Sequence, residues 1–250
     1  VTTFRVIPLV FLFAFLQAHA ANLAIADWKL QDYEDGALVS KNHVFEAGQT
    51  VHVSFQISGF KNVEDHIHLS YEIGTTDPSN RPLAPVKRGE IDTDLAPEDK
   101  VWLPKVRYQV QIPPLPEAGT YKIQVRVTDQ VAGGATAVAS GDFAVGGKNV
   151  EAASQLAILN FRFLRAENDV NPLPVSPTVK PGDMLWARFD IKGFRHGEKN
   201  RLDVSYGVAM RNQQGKVLFS DPTAAGDKDE SFYPKMVVPG VISVRLDRTI

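Results

Sequence analysis

The sequence predicts an all-β protein of two tandem antiparallel β-sandwich modules, the second lacking its last strands. Three observations carry this. Apolar and polar residues alternate with period two in segment after segment, the mark of half-buried antiparallel strands. Clusters of Gly, Pro, Asn and Asp separate those segments as turns. The pattern of the first half then returns in the second, in the same order. No stretch shows a convincing helical period. With 250 residues, of which 44% are hydrophobic, the chain can bury two ordinary cores. Its formal net charge of −2 leaves no basic footprint for nucleic acid.

The first twenty residues, VTTFRVIPLVFLFAFLQAHA, stand apart. Arg5 supplies a positive start, Val6 to Leu16 an apolar run, and Ala18-His19-Ala20 a small-residue cleavage pattern, so 1–20 reads as a secretory signal peptide. The run is too short to span about 30 Å of hydrocarbon, and no later stretch is apolar enough, so no stable membrane span is expected. Cysteine is absent, so an exported fold must hold by burial alone, without disulfides. The expected location is secreted or periplasmic.

The first module opens with LAIADWKL (23–30). EAGQTVHVSFQISGF comes next, with Val51, Val53, Phe55 and Ile57 on one face and His52, Ser54 and Gln56 on the other. Gly48 marks the turn before that strand. IHLSYEI puts Ile67, Leu69, Tyr71 and Ile73 inward, and DPSN (77–80) turns the chain back. An acidic run leads to DKVWLPK, then VRYQVQI, the turn PEAG (116–119), the strand YKIQVRV and a last strand ending near Val145. GGKNVEAASQ, Gly-rich and then small and polar, marks the boundary. The first module therefore occupies 22–147, a linker 148–155 and the second module 156–250.

The second module repeats the first. LAILNFRF (156–163) matches LAIADWKL, and KPGDMLWARFDIKGF matches EAGQTVHVSFQISGF with Gly182 against Gly48 and Phe194 against Phe60, both 134 residues apart. LDVSYGV sets Tyr206 against Tyr71, and DESFYPK sets Pro234 against Pro104. Nothing in the second copy corresponds to Pro113–Val145. A sandwich without those strands exposes an apolar groove and unpaired edges. The first expectation is that the sequence is a piece of a longer chain. A strand donated by a partner, self-association at the second module, or a repacked short module are the alternatives.

PEAGTYKIQVRVTD (116–129) resembles the penultimate strand of immunoglobulin-like, cadherin-like and fibronectin-like extracellular modules. The resemblance covers about fourteen residues and concerns architecture only. It implies that Tyr121 is a tyrosine-corner residue, bonded to backbone in the turn before its strand. No ligand or site comes with it.

Candidates for chemistry are few. His66 and His68 point the same way from one strand, but no third metal ligand lies at a local spacing, and their counterparts are Arg201 and Asp203. Each copy carries an acidic run before its aromatic-Pro-Lys element. Asp92, Asp94 and Asp99 in the first and Asp227 and Asp229 in the second could gather oxygen ligands for calcium, though neither run has the EF-hand pattern. No other cofactor is expected. Trp28 and Trp102 read as core aromatics, with Phe161 and Phe232 as counterparts. Trp186 falls on the outward face with Arg188 and is the candidate ligand contact. There is no G-x-S-x-G, H-E-x-x-H or P-loop pattern. The expectation is a non-catalytic binding or structural protein that meets a protein or polysaccharide surface. A carbohydrate-binding module and an accessory region of a larger secreted enzyme are its rivals.

Overall fold

A computed structural model describes residues 22–99, 101–147, 153 and 155–246. The segment 1–20 read as a signal peptide lies outside the described residues, as does most of the linker 148–155. The rest is strand and loop, broken only by two short 3-10 turns at Pro97–Asp99 and Glu198–Asn200.

The first sandwich uses β1 (Ala24–Gln31), β2 (Val44–Phe45), β3 (Thr50–Ser58), β4 (His66–Thr76), β5 (Lys87–Asp94), β6 (Lys105–Gln111), β7 (Gly119–Asp129) and β8 (Ala135–Val145). One sheet runs β1-β3-β6 and the other β2-β8-β7-β4-β5. Every pair is antiparallel except β2 with β8, where Val44 lies beside Ala144. The chain lays β1 and β3 in one sheet, β4 and β5 in the other, returns for β6, and finishes with β7 and β8, which is the immunoglobulin-like order.

Alternation decides which face is buried. Val51, Val53, Phe55 and Ile57 from β3 meet Leu69 and Ile73 from β4 and Tyr121, Ile123, Val125 and Val127 from β7, all essentially without solvent contact. Each such side chain contributes about 1.5–3 kcal/mol by leaving water. That burial holds a fold which has no disulfide.

The second sandwich repeats five of these strands: β9 (Ala157–Leu164), β10 (Met184–Lys192), β11 (Leu202–Arg211), β12 (Val217–Asp229) and β13 (Val238–Arg245). β9, β10 and β13 form one sheet in the order β13-β10-β9, and β11 pairs with β12. No strand corresponds to β7 or β8 among the described residues. The core is correspondingly small, gathered around Phe189, Ile191, Leu202, Val238 and Ile242.

The repeat extends to backbone detail. Gly48 (φ +79°) and Gly182 (φ +94°) each occupy the third position of the turn that opens the second long strand, where a positive φ excludes most side chains. The first strand of each copy is interrupted by a register shift, with Asp27 (φ 49°) and Asn160 (φ 53°) in the left-handed region at the bulge. Short polar side chains tolerate that conformation best after glycine.

The reading of Trp102 as a core aromatic changes. Trp102 is 40% exposed, because it succeeds the 3-10 turn in an irregular connection on the outside of the sandwich. Phe161 and Phe232 are exposed as well. Trp28 is half-buried, its ring stacked on Phe55 at 5.9 Å between centroids.

Candidate functional site: the joint between the sandwiches

The acidic residues suggested for calcium come together in two pairs, one around His66 and one around Lys235, with Asp99 apart. Asp92 and Asp94 project from β5 toward His66 on β4, at 3.1 Å from Nε2 and 2.8 Å from Nδ1. Cross-strand pairing supplies these neighbours, which local spacing could not show. Glu90 stands 3.8 Å from His68 in the same ladder. Asp99 sits apart in the 3-10 turn, and Asp227 and Asp229 engage Lys235 Nζ at 3.0 and 3.5 Å. Among the described residues no group of three or more His, Asp or Glu side chains is placed to hold a metal ion. Trp186 is half-buried on the face opposite Phe189 and Ile191. The three tryptophans lie on β1, on the connection before β6 and on β10, and do not form a row.

The best-built polar cluster lies where the sandwiches meet. It begins in the turn after β4. Asp77 N–H donates to Arg81 O at 3.0 Å, Asn80 N–H to Asp77 O at 2.9 Å, and Arg81 N–H to Asp77 Oδ1 at 2.8 Å. Asn80 takes the left-handed position (φ 61°). Asp at the start and Pro next are the residues such a turn favours. The Asp77 side chain is 0% exposed, so its charge must be answered locally.

Arg81 answers it. Nε donates to Asp77 Oδ2 at 2.7 Å, and Nη2 reaches Glu117 Oε2 at 2.6 Å. Ser79 Oγ donates to the same Glu117 oxygen at 2.9 Å. Burial opposes the Arg81 charge, but the Asp77 and Glu117 carboxylates more than offset it and hold the guanidinium above its ordinary range. Tyr121 joins from β7, its hydroxyl donating to Glu117 O at 2.9 Å in the turn before its strand. Burial pushes its phenol up to about 12.

The second sandwich contributes Tyr233. Its hydroxyl donates to Asp77 Oδ2 at 2.8 Å, and its ring lies under the Arg81 guanidinium, 5.7 Å from centroid to Cζ. The ring also packs against the first core near Ala84. Burial, reinforced by the Asp77 carboxylate, pushes its phenol far above the usual tyrosine range.

Tyr233 is presented by a braced loop. Asn200 Nδ2 donates to Phe232 O at 2.6 Å, Ser231 Oγ to Tyr233 O at 2.7 Å, and His196 Nε2 to Lys235 O at 2.8 Å. Lys235, tied to Asp227 and Asp229, closes the other side. The arrangement pairs every charge it buries, and the Ser79 and Tyr233 hydroxyls donate to carboxylate oxygens that Arg81 already engages. Chemically it is a clamp. Removing one partner of a buried charge pair costs about 3–5 kcal/mol, so the cluster around Asp77 holds as a unit.

Sequence reading missed this joint. Its parts read separately as turn residues, a charged loop and an aromatic-Pro-Lys element. The available signal was Tyr233 standing where the first copy has Leu103.

No family model and no known curated protein matches the chain. Among solved structures it is similar to the AgI/II polypeptide BspA C-terminal domain of Streptococcus agalactiae, at 14% identity, covering 82% of this chain and 77% of that one, with a TM-score of 0.29. A structure named BspA_C_WT is matched at 13% identity over 80% and 76%, with a TM-score of 0.30. The likeness is too low to carry an argument.

Proposed function

We propose that the chain is an exported, non-catalytic binding and spacing protein, whose immunoglobulin-like sandwiches are held at a set angle and present their surfaces to another macromolecule. The observation that carries this reading is the Tyr233–Asp77–Arg81 clamp. A hydrogen-bonded, buried carboxylate between two domains is a device for fixing orientation, which a spacer or a two-site binder needs. The apolar export signal in 1–20 supports a secreted or periplasmic setting. A protein surface fits better than a polysaccharide, because the tryptophans do not line one sheet face as sugar stacking would require.

The test is a panel of ester, glycoside, peptide and phosphoester substrates run beside protein and glycan arrays, on the same folded preparation. Saturable array binding without turnover is the expected result. Turnover that scales with protein and disappears on denaturation would overturn the proposal.

A further inference from the structure

The joint has a donor element, the segment before Pro234, and a receiving turn, Asp77–Pro82. The internal repeat gives the chain a second set of both. The receiving turn recurs at Asn212–Lys216 with the same bonds. Asn212 N–H donates to Lys216 O at 3.0 Å, Gly215 N–H to Asn212 O at 2.9 Å, and Lys216 N–H to Asn212 Oδ1 at 2.9 Å. Gly215 (φ +81°) takes the left-handed place held by Asn80. Strand pairing sets the register beyond each turn. Pro82 lies against Thr76 and Val217 against Arg211; a register shift then inserts Leu218, so Phe219, opposite Met210, stands where Leu83, bonded to Thr75 O, stands in the first sandwich.

In the first sandwich that site is filled. Leu83 is buried, and Ala84 and Tyr233 pack on the same core. In the second it is open, with Val217, Leu218 and Phe219 at 43%, 36% and 43% exposure. The donor element of the first sandwich is open too, with Val101, Trp102 and Leu103 at 89%, 40% and 37% exposure. One copy therefore displays an unused knob and an unused hole, each apolar, and each equivalent by repeat to half of a contact the chain already makes. They sit on different sandwiches of one molecule.

We propose that these two surfaces are one interface between copies of this chain: Trp102 and Leu103 of one molecule dock on the Asn212–Phe219 segment of the next. The contact is heterologous, so it propagates head to tail rather than closing on itself as a two-fold dimer would. It lacks the buried polar pair of the intramolecular joint, because Leu103 replaces Tyr233 and Asn212 replaces Asp77. Association is therefore weak, and it stands whether or not the sandwiches bind any other macromolecule.

Sedimentation of the chain from about 10 μM to 1 mM, the range of weak contacts, tests this. The expected result is a mean mass that keeps rising with concentration beyond a dimer. Leu103→Asp blocks the knob and Phe219→Asp blocks the hole. Both residues are exposed, and circular dichroism checks that each variant folds. Each variant alone should remain monomeric, while an equal mixture should give a dimer and nothing larger. The double change Leu103→Tyr with Asn212→Asp rebuilds the Tyr–Asp pair and should tighten association about tenfold or more over either single change. A parent chain that stays monomeric throughout overturns the proposal. So does assembly that survives Leu103→Asp, or a mixture that fails to pair.

Discussion

Removing one oxygen from Tyr233 should loosen the relation between the two sandwiches. In Tyr233→Phe the ring remains, with its place under Arg81, but Asp77 Oδ2 loses the hydroxyl that donates to it at 2.8 Å. Arg81 still supplies two donors to the same carboxylate, so the turn survives. A hydrogen bond to a charged group is worth about 1.5–3 kcal/mol, and roughly 1.4 kcal/mol is a factor of ten. The docked fraction should therefore fall by about ten- to a hundredfold relative to the undocked. Tyr233→Ala also removes the ring and its cation–π contact, together costing about 2 kcal/mol more for a half-buried aromatic. The absence of cysteine makes the assay direct. Single cysteines placed at the exposed Lys122 and Gln214 carry spin labels, and pulsed dipolar spectroscopy reads the distance between sandwiches. The parent should give one narrow distribution, Tyr233→Phe a broadened one, and Tyr233→Ala the broadest. An alanine variant with the parent's narrow distribution would refute the reasoning, since no other described residue of 230–235 offers Asp77 a donor.

Alkaline titration should show late tyrosines. Burial raises Tyr108, Tyr121 and Tyr233 alike, so folding favours their neutral forms. Their contribution is complete below the unfolded value of about 10 and is lost as pH climbs through the raised folded values, about 12 for Tyr121. Phenolate absorbance should therefore stay incomplete well above pH ~10 and finish together with joint opening. All six tyrosines titrating together at the ordinary value would contradict this. A second test concerns Gly89, which pairs across from Tyr71, where an added Cβ would run into the Tyr71 ring. Gly89→Ala should cost about 1–3 kcal/mol by overpacking, seen as a lowered urea midpoint at unchanged slope, and Tyr71→Ala in the same chain should cancel most of that clash.

Much of the fold was legible because burial tracks alternation. Val51, Val53, Phe55 and Ile57 could be assigned inward from their spacing alone, and Tyr121 to Val127 likewise. The turn at 77–80 was readable from residues that favour left-handed or fixed backbone. The clamp was not legible, for a physical reason. Asp77 and Tyr233 are 156 residues apart, and a carboxylate in a turn looks the same in sequence whether water or a tyrosine answers it. Trp102 misled for the converse reason: aromatic residues signal burial on average, yet a connection outside the two sheets can leave one in water. The His66 ladder shows a third case, where the partners Asp92 and Asp94 come from strand register.

The short parallel pairing of β2 with β8 matters when the molecule is pulled. Val44 and Phe45 lie beside Ala144 and Val145, with Gly146 N–H donating to Phe45 O at 2.8 Å. Once tension has parted β1 from β3, β2 carries the load from the amino side, and β8 leaves the sandwich toward the second. Tension along the chain therefore draws the two strands past each other lengthwise. Their hydrogen bonds are loaded together as a shear and do not open one by one as a hairpin's would. Phe45, buried and packed edge-on against Phe143, must leave the core before the strands can slide. The first sandwich is thus latched against stretching beyond the loss of β1.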